Sequence, residues 1–155
     1  MIDPEWPPAV RAIATATDDA VNAARSQSAA EFAEAVTELH AQDSAQVAAI
    51  HAEMVRSLLE ELHPDGLTGE DVQDALTGAV RSAAEWHPDL DVPGFVEVLT
   101  GALGVADTEE VRRPPLPQHA VLIIADLLAR RRASAEVYLR RAVAEIQRAQ
   151  TMEMP

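Results

Sequence analysis

The sequence lacks two amino acids entirely and contains few aromatic residues. None of the 155 residues is cysteine, which excludes disulfide bonds, thiol catalysis and cysteine-ligated zinc. Lysine is also absent, so all 12 basic residues are arginine. Only two Phe, two Trp and one Tyr are present. A core must therefore be built from aliphatic side chains and from the 30 alanines, whose small side chains let helices approach closely.

Long apolar runs are missing too. The longest, Ala120–Ala125, ends at Asp126, far short of the ~20 residues of a membrane-spanning helix. The N-terminal stretch MIDPEWPP is acidic and proline-rich, unlike a secretory signal. Leu, Ile, Val and Phe together number 37, above the level typical of disordered chains. We expect a soluble, cytoplasmic, single-domain protein.

The charge is strongly negative and unevenly distributed. The formal net charge is −14, but residues 1–111 carry 22 acids and four arginines, whereas residues 112–155 carry four acids and eight arginines. Such asymmetry is typical of proteins with two surfaces for different partners. It also fits a simpler interpretation, in which the basic end pairs with the acidic body of the same chain.

Residues 28–63 belong to the longest stretch without proline or glycine, which runs from 9 to 63. Apolar residues recur there at helical spacing, and Ser28 with Glu31 fits a capping box at a helix start. Asp43 interrupts the stripe and could itself cap a helix with Gln46. The pattern predicts a long central helix, or two helices in line with a break at 42–44.

The remaining patterns complete an all-α prediction: a single-domain helical bundle of five to seven helices around the 28–63 helix, without a β-sheet. Thr68 and Asp91 fit helix N-caps, and Gly104 fits a helix C-terminus. The predicted organisation is an N-terminal arm (1–8), an acidic helical body (9–104), a proline-rich linker (105–117), a basic C-terminal helical hairpin or single helix (118–150) and a frayed tail (151–155).

The histidines do not form a recognisable metal site. His40 and His51 share a helix face but lie three turns apart, about 16 Å along the axis. Glu60 and His63 match one Glu-x-x-His element of di-iron bundles, but a second element is absent. We therefore predict no metal, no cofactor and no catalytic residue. An enzyme or ligand-binding bundle with a site that is not visible in the sequence is one alternative.

The basic C-terminal region supports another alternative. Residues 124–142 resemble in part a helix-turn-helix, with Ala129 in the turn and Ser134 as the cap of a recognition helix. This resemblance implies a DNA-binding regulator. It requires a true turn near residues 130–133, and the acidic net charge of the chain opposes phosphate binding. The candidate nucleic-acid contacts are Arg130, Arg131, Arg132, Arg140 and Arg141.

The favoured prediction is a small protein-protein interaction, adaptor or regulatory module without catalytic activity. Four apolar side chains cluster near the end of the 28–63 helix, and the flexible thioether of Met54 adapts to varied partners. This helix could also extend its stripe into the seam of a homodimer. The candidate interaction residues are Met54, Leu58, Leu59 and Leu62.

Overall fold

The computed structural model describes residues 2–88, 90–104 and 114–153, and every regular element within these ranges is an α-helix. The all-α helical bundle is therefore confirmed. None of the described helices combines the length and apolar character needed to cross a membrane. The seven helices are α1 (Pro8–Arg25), α2 (Ala29–His40), α3 (Ser44–Leu62), α4 (Gly69–Ala84), α5 (Val92–Ala102), α6 (Pro117–Arg131) and α7 (Ala135–Glu153).

Local capping chemistry determines where four of the helices begin. In each case a side-chain oxygen accepts a hydrogen bond from a backbone N–H in the first turn. At α4 the cap is reciprocal: Asp71 N–H donates to Thr68 Oγ1 at 3.2 Å, and Thr68 N–H donates to Asp71 Oδ2 at 2.9 Å. All four caps were predicted from the sequence, namely Ser28, Asp43, Thr68 and Asp91.

The 28–63 region is not one long helix. It breaks at residues 41–43, where Asp43 is extended and its Oδ2 accepts a hydrogen bond from Gln46 N–H at 2.9 Å. A residue that caps a new helix cannot also continue the preceding one. The two halves also have different neighbours, since α2 packs mainly along α1 whereas α3 packs against α6, α7 and α5.

The helix at the centre of the bundle is α6. It contacts α1, α2, α3, α4 and α5, and nine of its 15 residues are buried. A helix that is apolar on all sides is typically enclosed by others. The bundle is therefore organised around Pro117–Arg131, and the prediction of a 28–63 centre was wrong. The basic C-terminal region is consequently built into the acidic body.

A sharp turn separates α6 from α7. Arg132 adopts a left-handed conformation with φ 55°, and the N–H groups of Arg132 and Ala133 donate to the carbonyls of Ala129 and Leu128. This is a Schellman motif, so residues 118–150 form two helices. The predicted frayed tail is wrong for 151–153, which continue α7. Most of the predicted linker, residues 105–113, lies outside the described residues.

Candidate functional site

An apolar groove lies between α4 and α5 on the surface of the bundle. Its volume is about 510 Å³, and none of the described residues that line it is charged. The threonine, glycine and glutamine residues that complete the lining are also uncharged. A concave, mainly apolar surface of this kind is typical of a binding site. The apolar lining residues are Leu67, Val72, Leu76, Val96, Leu99 and Leu103.

The α5 wall of the groove is unusual for a surface helix. One face of α5 is buried, with Phe95 and Leu99 almost fully enclosed. The outer face would ordinarily carry polar residues, yet Val92 and Val96 are 42% and 41% exposed. Glu97 is the only charged residue in the helix. The apolar outer face of α5 therefore offers contact surface that the described residues leave exposed.

The two helices that form this groove carry exposed acidic side chains. Glu70 and Asp74 on α4 and Glu97 on α5 are all exposed. Residues 64–104 carry eight acids and only one arginine, Arg81, so this region has a net charge of −7. The field around the groove is therefore negative, and it favours an approaching surface of positive charge.

The position of α5 depends on a close contact with α6. A β-carbon on Gly94 would lie 2.5 Å from Cδ2 of His119, so the absence of a side chain at Gly94 makes room for this imidazole. The ring also meets Phe95 edge-on, with ring centroids 5.5 Å apart. Burial lowers the pKa of His119, and Asp91, whose Oδ2 lies 3.6 Å from Nε2, opposes that shift.

The predicted protein-interaction residues do not form a surface in this structure. Met54, Leu58 and Leu59 are fully buried at 0% exposure, and Leu62 is half-buried against the same core. Their apolar stripe faces α6 and α7 of the same chain. These four residues therefore hold the bundle together, and in this structure they do not provide the binding surface that the sequence predicts.

Four of the five predicted nucleic-acid contacts pair with carboxylates of the chain. Arg131 Nε lies 3.3 Å from Glu61 Oε2, and Arg141 donates to the other oxygen of Glu61. The Tyr138 hydroxyl also donates to Glu61. These hydrogen bonds lower the pKa of the Glu61 carboxyl, and the bond from Tyr138 has the largest effect. The two other pairs join Arg130 to Asp126 and Arg140 to Glu136.

The remaining arginine, Arg132, is exposed and occupies the left-handed position of the turn between α6 and α7. The structure thus contains the turn that a helix-turn-helix requires. It also pairs Arg131 and Arg141 with Glu61 of the acidic body, as the simpler interpretation of the charge asymmetry predicts, whereas Arg130 and Arg140 pair with carboxylates of their own helices.

The histidines considered as metal ligands lie apart from one another. His40 is exposed at the end of α2, and His51 is buried in α3. His63 has its Nδ1 3.6 Å from Asp71 Oδ2, so it contacts the cap of α4. Among the described residues, no three histidine or carboxylate side chains are grouped so that they could hold a metal ion.

The groove was not predicted from the sequence, although a signal for it was present. The segment Val92–Ala102 contains one charged residue in 11, too few for a helix that lies on the surface with a fully polar outer face. Comparison with protein-family models, with curated proteins and with solved structures found no match to this chain.

Proposed function

We propose that this protein is a protein-binding module whose α4–α5 groove receives an amphipathic helix of a partner protein. The observation that carries the proposal is the apolar groove, together with the exposed Val96 on its wall. Grooves between two helices commonly bind a third helix through apolar anchors at i, i+3, i+4 and i+7. Such a protein would act as an adaptor or regulator without chemistry of its own.

The charge around the groove specifies the partner further. The exposed carboxylates of Glu70, Asp74 and Glu97 would repel an acidic segment and attract a basic one. Charge complementarity at an interface mainly raises the association rate and selects among partners. We therefore infer a partner helix with an apolar face bordered by arginine or lysine.

A second copy of the chain fits the groove less well than a different protein. Each copy would bring the same acidic α4 and α5 helices, and the formal net charge of −14 opposes self-association. The arginine-rich helix α7 is the obvious basic candidate within the chain, but its apolar residues Tyr138, Leu139 and Ala142 are buried in its own bundle. The homodimer nevertheless remains a prediction that solution mass measurements can test.

The DNA-binding alternative is less well supported by the contacts of the arginines. A phosphate would have to displace Glu61 from Arg131 and Arg141, and Asp126 from Arg130. Phosphate contacts supply most of the affinity of nucleic-acid binding. The apolar groove, in contrast, is open and needs no rearrangement, and this difference favours the protein-binding function.

The proposal can be tested with a fluorescently labelled synthetic helix that carries leucines at the spacing of helical anchors and arginines along the borders of the leucine face. The arginines of this peptide border the leucine face, as the inferred partner requires, and fluorescence anisotropy should show binding to the wild-type protein. Val96→Glu should weaken binding at least about tenfold, because it places an unpaired charge in the apolar contact. Circular dichroism checks that the variant remains helical.

The chain offers a matched control on another helix. Val137 on α7 is 43% exposed, nearly the same as Val96, and it does not line the groove. Val137→Glu should leave binding of the peptide unchanged. Equal effects of the two substitutions, or unchanged affinity when the leucines of the peptide are replaced by serine, would contradict groove binding.

A further inference from the structure

An imidazole lies between the first turns of two helices. His119 is the third residue of α6, and its ring packs against Gly94, the third residue of α5. The ring atoms Cδ2 and Nε2 lie 2.5 and 2.6 Å from the position that a β-carbon on Gly94 would occupy. His119 is only 7% exposed. The ring is therefore enclosed where the two helices meet, and a change in its charge acts directly on their contact.

The first turns of both helices disfavour a positive charge on this ring. Neither turn contains an acidic residue, and the N-cap of α6, Leu116, offers no side-chain hydrogen bond. The N–H groups of a first turn carry a partial positive charge, so a cation beside them is unfavourable. Burial adds to this effect, because removal from water disfavours the charged form of an imidazole. The contact between α5 and α6 is consequently built for a neutral His119.

Three titratable side chains of the described residues also act on this ring. Burial has the largest effect and lowers the pKa of His119; Asp91 and, more weakly, Glu97 raise this pKa, whereas His87 lowers it. Asp91 lies closest, with its Oδ2 3.6 Å from Nε2 of the ring. The other oxygen of Asp91 accepts a hydrogen bond from Gly94 N–H at 3.2 Å. The carboxylate that would stabilise an imidazolium therefore also caps α5.

We propose that protonation of His119 loosens α5 from α6, so that acid deforms the α4–α5 groove and releases the partner helix. Val96, Leu99 and Leu103 of α5 line the groove, so movement of this helix changes one whole wall. A loosened α5 leaves the imidazole in water, where its pKa is near 6.5, and this state gains population as the pH falls below that value. Release of a partner rests on the proposed function, whereas the loosening of α5 does not.

Amide hydrogen exchange of the free protein measures the loosening without any partner. Protection factors of Phe95 and Leu99 in α5 are compared at pH 7 and pH 5, after correction for the intrinsic pH dependence of exchange. We expect both to fall by about 3- to 25-fold, the upper limit being the case in which the packed state excludes the proton completely. Higher protection of Ile123, in the centre of α6, assigns this exchange to local opening of α5.

Three substitutions assign the effect to this imidazole. His119→Gln keeps a polar side chain that does not titrate, so protection of α5 should change by less than about 2-fold between pH 7 and pH 5. His63→Gln is the matched control and should respond as the wild type does, because His63 lies 3.6 Å from a different capping carboxylate, that of Asp71 at the start of α4. Asp91→Asn retains both His119 and a good N-cap but removes the compensating charge, so its α5 should lose more protection on acidification than the wild type.

Binding of the leucine–arginine peptide then connects the loosening to the groove. The wild type should bind it at least about 3-fold more weakly at pH 5 than at pH 7, and His119→Gln should bind it equally at both. Loss of α5 protection without peptide binding at any pH would contradict the proposed function and still support the acid-sensitive contact. Unchanged or increased protection of α5 at pH 5, equal losses in the wild type and His119→Gln, or a smaller loss in Asp91→Asn than in the wild type would overturn the present proposal.

Discussion

The imidazole of His119 occupies the space that a side chain on Gly94 would fill, with Cδ2 2.5 Å from the position of the absent β-carbon. Through this contact, the start of α6 determines how closely the first turn of α5 can approach. Since α5 forms one wall of the groove, a glycine that touches no partner protein helps to define the proposed binding surface.

Adding one methyl group at Gly94 should therefore destabilise the fold. Gly94→Ala forces the buried ring of His119 or the whole of α5 to move, and overpacking of this kind lowers the free energy of unfolding by about 1–3 kcal/mol. Gly101→Ala in the same helix is the control, because its methyl group would enter open space. That control should raise the stability by ~0.5–1 kcal/mol. Urea unfolding of both variants checks the opposite signs; a shared sign would contradict the close packing at Gly94.

The turn after α6 contains a residue that is poorly suited to its conformation. Arg132 has φ 55°, a left-handed conformation that is unfavourable by about 1–2 kcal/mol for residues with a β-carbon. We expect Arg132→Gly to raise the free energy of unfolding by about 1 kcal/mol. Arg132→Ala removes the same charge but keeps the β-carbon, so it should give no such gain. If both variants gain equally, the loss of charge and not the backbone conformation is responsible.

Glu61 joins the end of α3 to α6 and α7. Its carboxylate accepts hydrogen bonds from Tyr138, Arg131 and Arg141. Glu61→Ala should lower the free energy of unfolding by about 1–2 kcal/mol, mainly because the part-buried Tyr138 hydroxyl loses its charged acceptor. The exposed neighbour Glu60 provides the control, and Glu60→Ala should change stability by less than ~0.5 kcal/mol.

A double-mutant cycle would show whether the loss of stability in Glu61→Ala comes from the hydrogen bond with Tyr138. Tyr138→Phe combined with Glu61→Ala should be less destabilising than the sum of the two single variants, because both remove the same hydrogen bond. Strict additivity in thermal or urea unfolding would instead indicate that Tyr138 and Glu61 do not interact in solution.

Burial of His51 gives the stability of the fold a dependence on pH. Desolvation lowers the pKa of His51 from 6.5 to about 4, so the unfolded state binds a proton that the folded state excludes between these values. The stability that the fold has while the imidazole of His51 is neutral is fully present above pH 6.5 and is lost as the pH falls toward 4. Between pH 7 and pH 5, the wild type should lose about 2 kcal/mol more than His51→Gln. Equal losses in urea titrations would contradict a buried neutral imidazole.

The local features of the fold could be predicted from the sequence because short-range chemistry determines them. The caps at Ser28, Asp43, Thr68 and Asp91 each involve residues three positions apart, and all four are present. The position of a helix within the bundle is not local. The run Ala120–Ala125 is apolar on every side, which is typical of an enclosed helix, but the prediction placed the centre at the longer segment 28–63, which Asp43 interrupts.

The candidate site was harder to predict, because periodicity shows which side of a helix is apolar but not what covers that side. Met54 and Leu58 are covered by the chain itself, whereas Val72 and Val96 are left at a groove. Similarly, nothing in the sequence shows that the hydroxyl of Thr17 pairs with His51, 34 residues away.

The most direct test of the protein-binding function is site-specific photo-crosslinking in lysate from the source organism. A photoreactive amino acid would replace Val96 in one sample and Val137 in the other, and mass spectrometry would identify the crosslinked peptides. The proposed function predicts a product from position 96 alone, joined to an apolar segment flanked by basic residues in another protein. Absence of a product at position 96, identical products from both positions, or a crosslink between two copies of this chain would contradict it.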